Sequence, residues 1–149
     1  MGMDRITFCV SLFEPDGGID RAASQRCVLW LMETLIRINE QLLDQNEDIP
    51  RLYDAPVRYE REEIEEWQDI RHILERGEGD CEDLACWRAA ELRHAGIKAG
   101  PYIKWHSNGR GGVMYHALVR WPDGRIEDPS LALGMRNGKE PRRSIFVTP

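Results

Sequence analysis

Gly79-Asp80-Cys81-Glu82-Asp83-Leu84-Ala85 sets a cysteine directly after a glycine-bearing loop and at the head of a helical run. Asp80 is a favoured N-cap residue, and Asp83 three positions later completes a capping-box pattern. The run Leu84 to Arg93 reads as helix, and Gly96 is a usual helix stop. Cys81 is therefore predicted at the first helical position, on an exposed element end. Unpaired N–H groups and the helix dipole favour a negative sulfur there. The same N–H groups suit an oxyanion during acyl transfer. Asp80, Glu82 and Asp83 oppose this by repelling a thiolate, so the cysteine is inert unless an imidazolium stands beside it.

Downstream, Tyr115-His116-Ala117 lies inside the apolar run Val113 to Val119, and Glu127-Asp128-Pro129 follows a turn. Pro122-Asp123-Gly124 has the composition of a three-residue hairpin, a type I turn followed by glycine in the left-handed region. That loop pairs Trp121 with Arg125 and sets Asp128 opposite Leu118. His116 shares a face with Leu118, so Asp128 is predicted as its diagonal neighbour. A two-residue loop would put His116 and Asp128 on opposite faces. In this arrangement Cys81 is the nucleophile, His116 the base and Asp128 the group that orients the imidazole. Among the other histidines, His106 in the loop before that strand is the one substitute base; His72 and His94 sit on helices.

Working outward, the segment Ile19 to about Gln45 is predicted as a long amphipathic helix burying Ala23, Cys27, Trp30, Leu31, Leu35, Ile38 and Leu42. Its polar face (Arg26, Glu33, Arg37, Glu40) is expected in solvent. Before it, Ile6 to Phe13 reads as a strand and Pro15 to Gly18 as a turn. Asn46 to Tyr59, with Pro50 and Pro56, is a long connection of the kind that lines clefts. Glu60 to Glu75 is predicted as a second helix, its acidic first half complementing the helix dipole. Strands are expected at Ala99 to Trp105, Val113 to Trp121, Arg125 to Asp128 and Ser144 to Val147. Helices first and antiparallel strands after them make an α+β fold in a single domain spanning 1–149.

The bulk numbers bound the function. The net charge of −6 and sequence pI near 5.3 make nucleic acid a poor partner, the pair Arg142-Arg143 notwithstanding. No stretch approaches the roughly 18 apolar residues of a membrane span. The four cysteines (Cys9, Cys27, Cys81, Cys86) have no disulfide-framework spacing and no export signal precedes them, so reduced thiols in the cytoplasm are expected. Cys9, Cys27 and Cys86 read as small buried hydrophobes. Cys81 and Cys86 are five apart on one helix, which does not suit a zinc site with His106 and His116. No metal or cofactor is called for.

These residues together resemble the transglutaminase-like superfamily. The similarity runs through Gly79 to Ala85, Leu92-Arg93-His94-Ala95-Gly96-Ile97-Lys98-Ala99, Tyr115-His116-Ala117 and Glu127-Asp128-Pro129-Ser130, and covers the C-terminal half to two-thirds of the chain. The resemblance implies a papain-like core with Cys81, His116 and Asp128 as its triad, acting on a peptide or amide through a thioester. It implies a peptidase or amidase more than a transamidase, because a lone small core resembles the protease-like bacterial or phage members. NlpC/P60-like and other papain-like peptidases are nearby alternatives. Leu118 stands where the family often has tryptophan. The family's second oxyanion donor is an upstream side chain, for which Trp67, Gln68, Tyr53 and Tyr59 are the candidates. The rival reading is a catalytically silent binding or assembly module retaining the fold, as in phage and prophage settings.

Overall fold

A computed structural model describes residues 21–107, 109–110, 113–135 and 144–149 of the chain. The strand expected at Ile6 to Phe13, the turn at Pro15 to Gly18, Cys9, and the pair Arg142-Arg143 lie outside the described residues. In chain order the elements are α1 (Arg21–Gln45), a short 3-10 turn (Leu52–Asp54), β1 (Arg58–Tyr59), α2 (Ile70–Arg76), β2 (Glu78–Gly79), α3 (Cys81–His94), β3 (Gly100–Ser107), β4 (Val113–Arg120), β5 (Ile126–Glu127), α4 (Pro129–Ala132) and β6 (Phe146–Val147). The fold is mixed α+β, with helices beside an antiparallel sheet of order β3-β4-β5-β6. A separate parallel pair joins β1 to β2 and leads directly into α3.

The cysteine helix is the centre of the molecule. Ten of its residues are buried, Cys81 through Trp87 with Ala89, Ala90 and Leu92, so it is enclosed on nearly all sides. One core gathers its Cys81, Ala85, Cys86 and Ala89 with Val28, Met32 and Ile36 of α1 and Ile103, Ala117 and Val119 of the sheet. A second sets Trp87 and Leu84 against Leu52, Ile70 and Ile73. The small alanines of α3 let α1 and the sheet approach it closely.

The long first helix forms, but its buried face is rotated from the expected one. It buries Ser24, Val28, Met32, Leu35, Ile36, Asn39 and Leu42. Trp30 is 68% exposed and Ile38 43%, while Cys27 is half-buried. Apolar residues lie nearly all round this helix, so spacing alone cannot choose the face. Nor is Glu33 simply solvated, since both its oxygens accept from the Arg93 guanidinium of α3, at 2.7 and 2.8 Å. Trp30→Ser should therefore change stability by no more than about 0.5 kcal/mol, whereas Met32→Ala should cost about 2–5 kcal/mol. Urea denaturation of the two variants checks this, and comparable losses would contradict the register.

The second helix is shorter than expected. It spans Ile70–Arg76, capped by Asp69 accepting from the backbone of Arg71 and His72, and residues 60–69 are not helical. Three of their N–H groups are taken by distant acceptors: Glu60 donates to the Gly79 carbonyl, Glu62 to Asp80 Oδ2 and Gln68 to Asp83 Oδ1. A helix needs those donors for itself, so the acidic run becomes a strap tied to the start of α3. Ile64 is 79% exposed on it.

Candidate functional site

The strap, the start of α3 and the middle of β4 converge on Cys81. The approach to α3 is close at Gly79, where a Cβ would lie 3.2 Å from Asp83 Cβ and 3.3 Å from Leu84 Cδ2, so that these neighbours would have to give way by a few tenths of an ångström. Asp80 caps the helix and its backbone N–H donates to Asp83 Oδ2 at 3.1 Å, closing the capping box expected from the sequence. Cys81 takes the first helical position, but it is buried rather than exposed, at 7%. The strap and β4 cover the helix end.

The turn after β4 is built as read from Pro122-Asp123-Gly124. Gly124 has φ +88°, the Trp121 N–H donates to the Arg125 carbonyl, and Val119 pairs with Glu127. That register brings the imidazole and the carboxylate together, with His116 Nε2 2.8 Å from Asp128 Oδ2. Asp128 Oδ1 accepts from the Leu131 N–H and caps α4. The carboxylate is thus fixed at both oxygens, and among the described residues Nδ1 is the imidazole nitrogen without a hydrogen bond.

The sulfur adjoins this pair through the backbone. The Ala117 N–H, one peptide from His116, donates to Cys81 Sγ at 3.5 Å. Among the described residues the other hydrogen-bond partner of the sulfur is Glu82, whose Oε2 accepts from Sγ at 3.3 Å. Burial pushes the thiol well above its ordinary pKa, the charges of Glu82 and Asp80 add to this, and the Ala117 N–H opposes it. Glu82 is itself 1% exposed; burial and the carboxylates of Asp83, Glu65 and Asp80 push its acid up as well. Of the acidic neighbours expected to repel a thiolate, Glu82 and Asp80 act on the sulfur, and the burial of the thiol outweighs both. Sequence reasoning treated Glu82 as a general repulsion and missed that it touches the sulfur, which only a helix N-terminus turned inward would signal.

The four candidates for a second oxyanion donor separate. The Tyr53 hydroxyl donates to Glu127, and the Gln68 amide is spent on Glu62 and Asp83 at 2.9 and 3.1 Å. Tyr59 feels the charges of Asp80 and Cys81 and hydrogen-bonds Asp80; burial first, then these neighbours, hold its hydroxyl protonated. Trp67 is half-buried against the core that contains Cys81. Of the four, Tyr59 senses Cys81 directly but shares its hydroxyl with Asp80, and Trp67 packs on the core that contains Cys81. The backbone N–H of Cys81, the first donor expected, is held by Asp80 Oδ1 at 2.6 Å.

His106 lies on β3, its ring 6.5 Å from that of His116. Cys86 Sγ points away from the site, 3.6 Å from the Met32 carbonyl, so the quartet Cys81, Cys86, His106 and His116 is not assembled. Oxygens of Glu62, Glu82 and Asp83 lie within 4.8 Å of one another, as do ligand atoms of Asp80, Cys81 and Glu82. The oxygens of Glu62, Asp80 and Asp83 accept from N–H donors of Gln68, Arg76, Glu66, Asp80, Cys81 and Glu62, whereas Glu82 Oε2 accepts from the thiol and Glu82 Oε1 has no partner among the described residues. These groups form a hydrogen-bonded capping network at the start of α3. No helix among the described residues is long and apolar enough to cross a membrane. No family model matches the chain, and comparison with curated proteins and with solved structures gives no match.

Proposed function

We propose that this chain is a cysteine-dependent acyl-transfer enzyme with a transglutaminase-like, papain-like core, acting as a peptidase or amidase on a peptide or protein substrate. The observation that carries the reading is the His116–Asp128 pair at 2.8 Å, beside a cysteine that opens a capped helix. In the reaction, Nδ1 of His116 takes the Cys81 proton as Sγ attacks the carbonyl carbon. Asp128 stabilises the imidazolium. Tyr59 or Trp67 supplies a hydrogen to the oxyanion. The imidazolium returns its proton to the leaving amine as the C–N bond breaks. His116 then draws a proton from water, which attacks the thioester and frees the thiol. The sulfur must turn from Glu82 toward the imidazole for the first step.

A second reading is favoured by the same sulfur: a thiol buried against a carboxylate suits a silent binding or assembly module. One experiment separates the two. With p-nitrophenyl acetate as a generic acyl donor, an acetyl adduct should form selectively on Cys81, read by peptide mass spectrometry, and should fall at least about a hundredfold in His116→Ala. Adducts spread over the accessible cysteines and unchanged in His116→Ala would leave the silent module.

A further inference from the structure

We propose that Glu82 is a further catalytic residue: its carboxyl group shares a proton with the Cys81 thiol, and the sulfur becomes usable as a nucleophile when Glu82 is the neutral acid donating to it. The word catalytic rests on the acyl-transfer reading above; the shared proton does not. Three features of the geometry carry the inference. Glu82 Oε2 lies 3.3 Å from Sγ, within reach of a thiol hydrogen bond. Glu82 is 1% exposed, so neither solvent nor counterions screen it. Its second oxygen, Oε1, is buried without a hydrogen-bond partner among the described residues, which is costly for a carboxylate and far less so for an acid.

The carboxylates around the pair all act in one direction, against the backbone N–H of Ala117 at the sulfur. On α3 itself stand Asp80 and Asp83. The strap contributes Glu65, and Glu62 through the Gln68 amide. Tyr115 on β4 faces Glu82, Glu65 and Cys81 and keeps its proton, because burial and these charges hold its hydroxyl up. Tyr59 stands on β1 with Arg61 beyond it, and His116 follows Tyr115. Two anionic sites 3.3 Å apart under burial cannot both ionise at neutral pH. They titrate as one coupled unit, in two macroscopic steps.

The two protonation states do opposite things to the reaction. When Glu82 is ionised it accepts the thiol hydrogen and so competes with His116 Nδ1 for that proton. When Glu82 is neutral, its O–H donates to sulfur, the thiol proton is free to pass to Nδ1, and the thiolate left behind is hydrogen-bonded. No proton is gained or lost in that transfer. The carboxyl thus switches from a competing acceptor to a supporting donor at the same atom.

The test is the pH profile of Cys81 alkylation by iodoacetamide, quantified by peptide mass spectrometry. It is run in His116→Ala, where the imidazole no longer titrates. That variant, with Glu82 intact, should show a rise in two separated steps. Adding Glu82→Gln, whose amide keeps the donor and removes the charge, should merge them into one step. It should also raise the rate at neutral pH about tenfold, one unit of apparent thiol pKa. A single step in His116→Ala overturns the proposal whether or not the double variant folds. With His116 present, Glu82→Gln should retain acetyl transfer from p-nitrophenyl acetate and strengthen it at neutral pH; its loss would also overturn the proposal. Should acetyl transfer prove indifferent to His116 while the two-step profile persists, the acyl-transfer reading falls and the shared proton stands.

Discussion

Glu127→Ala should lower the stability of the folded chain by about 3–5 kcal/mol, the cost of removing one partner from a buried ion pair. Glu127 is fully buried. Its Oε1 accepts from Arg88 Nε at 2.8 Å and from the Tyr53 hydroxyl, and its Oε2 accepts from Trp121 Nε1 at 2.7 Å. Deleting the carboxylate strands three donors at once. Arg88 keeps Glu91, but burial pulls its pKa down, and Glu127 is the first of the charges and hydrogen bonds that hold it above its ordinary value. The loss is a large share of the about 5–15 kcal/mol that stabilises a domain. It also loosens β5, the strand that leads into Asp128. Glu127→Gln keeps both acceptor positions in shape but can accept at only one, so a smaller loss is expected. Urea denaturation of the three proteins measures the series. A loss below about 1 kcal/mol in Glu127→Ala would show that the network relaxes around the gap.

What could be read from the sequence was what short-range chemistry decides. The cap at Asp80, the box with Asp83 and the stop at Gly96 need only a few neighbouring residues. So does the turn at Pro122-Asp123-Gly124, and its loop length carried the sheet register as far as Asp128. The strand pattern of β3 to β6 followed from alternation and turn signals. The failures lie where distant groups overrule local preference. A glutamate-rich stretch from 60 to 69 suits a helix, but the carboxylates of Asp80 and Asp83 take the N–H groups of Glu62 and Gln68 and tie the stretch to the start of α3. The face of α1 turns on Asn39, a polar residue buried because its Oδ1 accepts from the Ile70 N–H at 3.1 Å. A hydrophobic count excludes such a residue from the core. The site followed the same division. His116 and Asp128 were legible through a turn, whereas the inward packing of Cys81 and the contact with Glu82 depend on how the strap and β4 cover the helix end.

Asp128→Asn should cost about 10⁴-fold in acyl transfer at Cys81, the loss seen when a triad imidazole is held in the wrong tautomer, while leaving the fold intact. Both consequences follow from the two bonds of this carboxylate. Oδ1 accepts from the Leu131 N–H and caps α4, and asparagine is as good a cap as aspartate. The amide must therefore turn its oxygen to the Leu131 N–H and its NH₂ to His116. An NH₂ at the place of Oδ2 donates to Nε2, so the imidazole proton moves to Nδ1. That is the nitrogen proposed to receive the thiol proton, and once protonated in the neutral ring it cannot. Stability should change by less than about 1 kcal/mol, since both hydrogen bonds persist with one reversed. Asp128→Ala should instead lose the cap as well, about 1 kcal/mol by itself. The paired readout is acetylation of Cys81 by p-nitrophenyl acetate together with a urea midpoint. Full acetyl transfer in a well-folded Asp128→Asn would mean that the carboxylate serves the fold alone, and that His116 owes it nothing chemically.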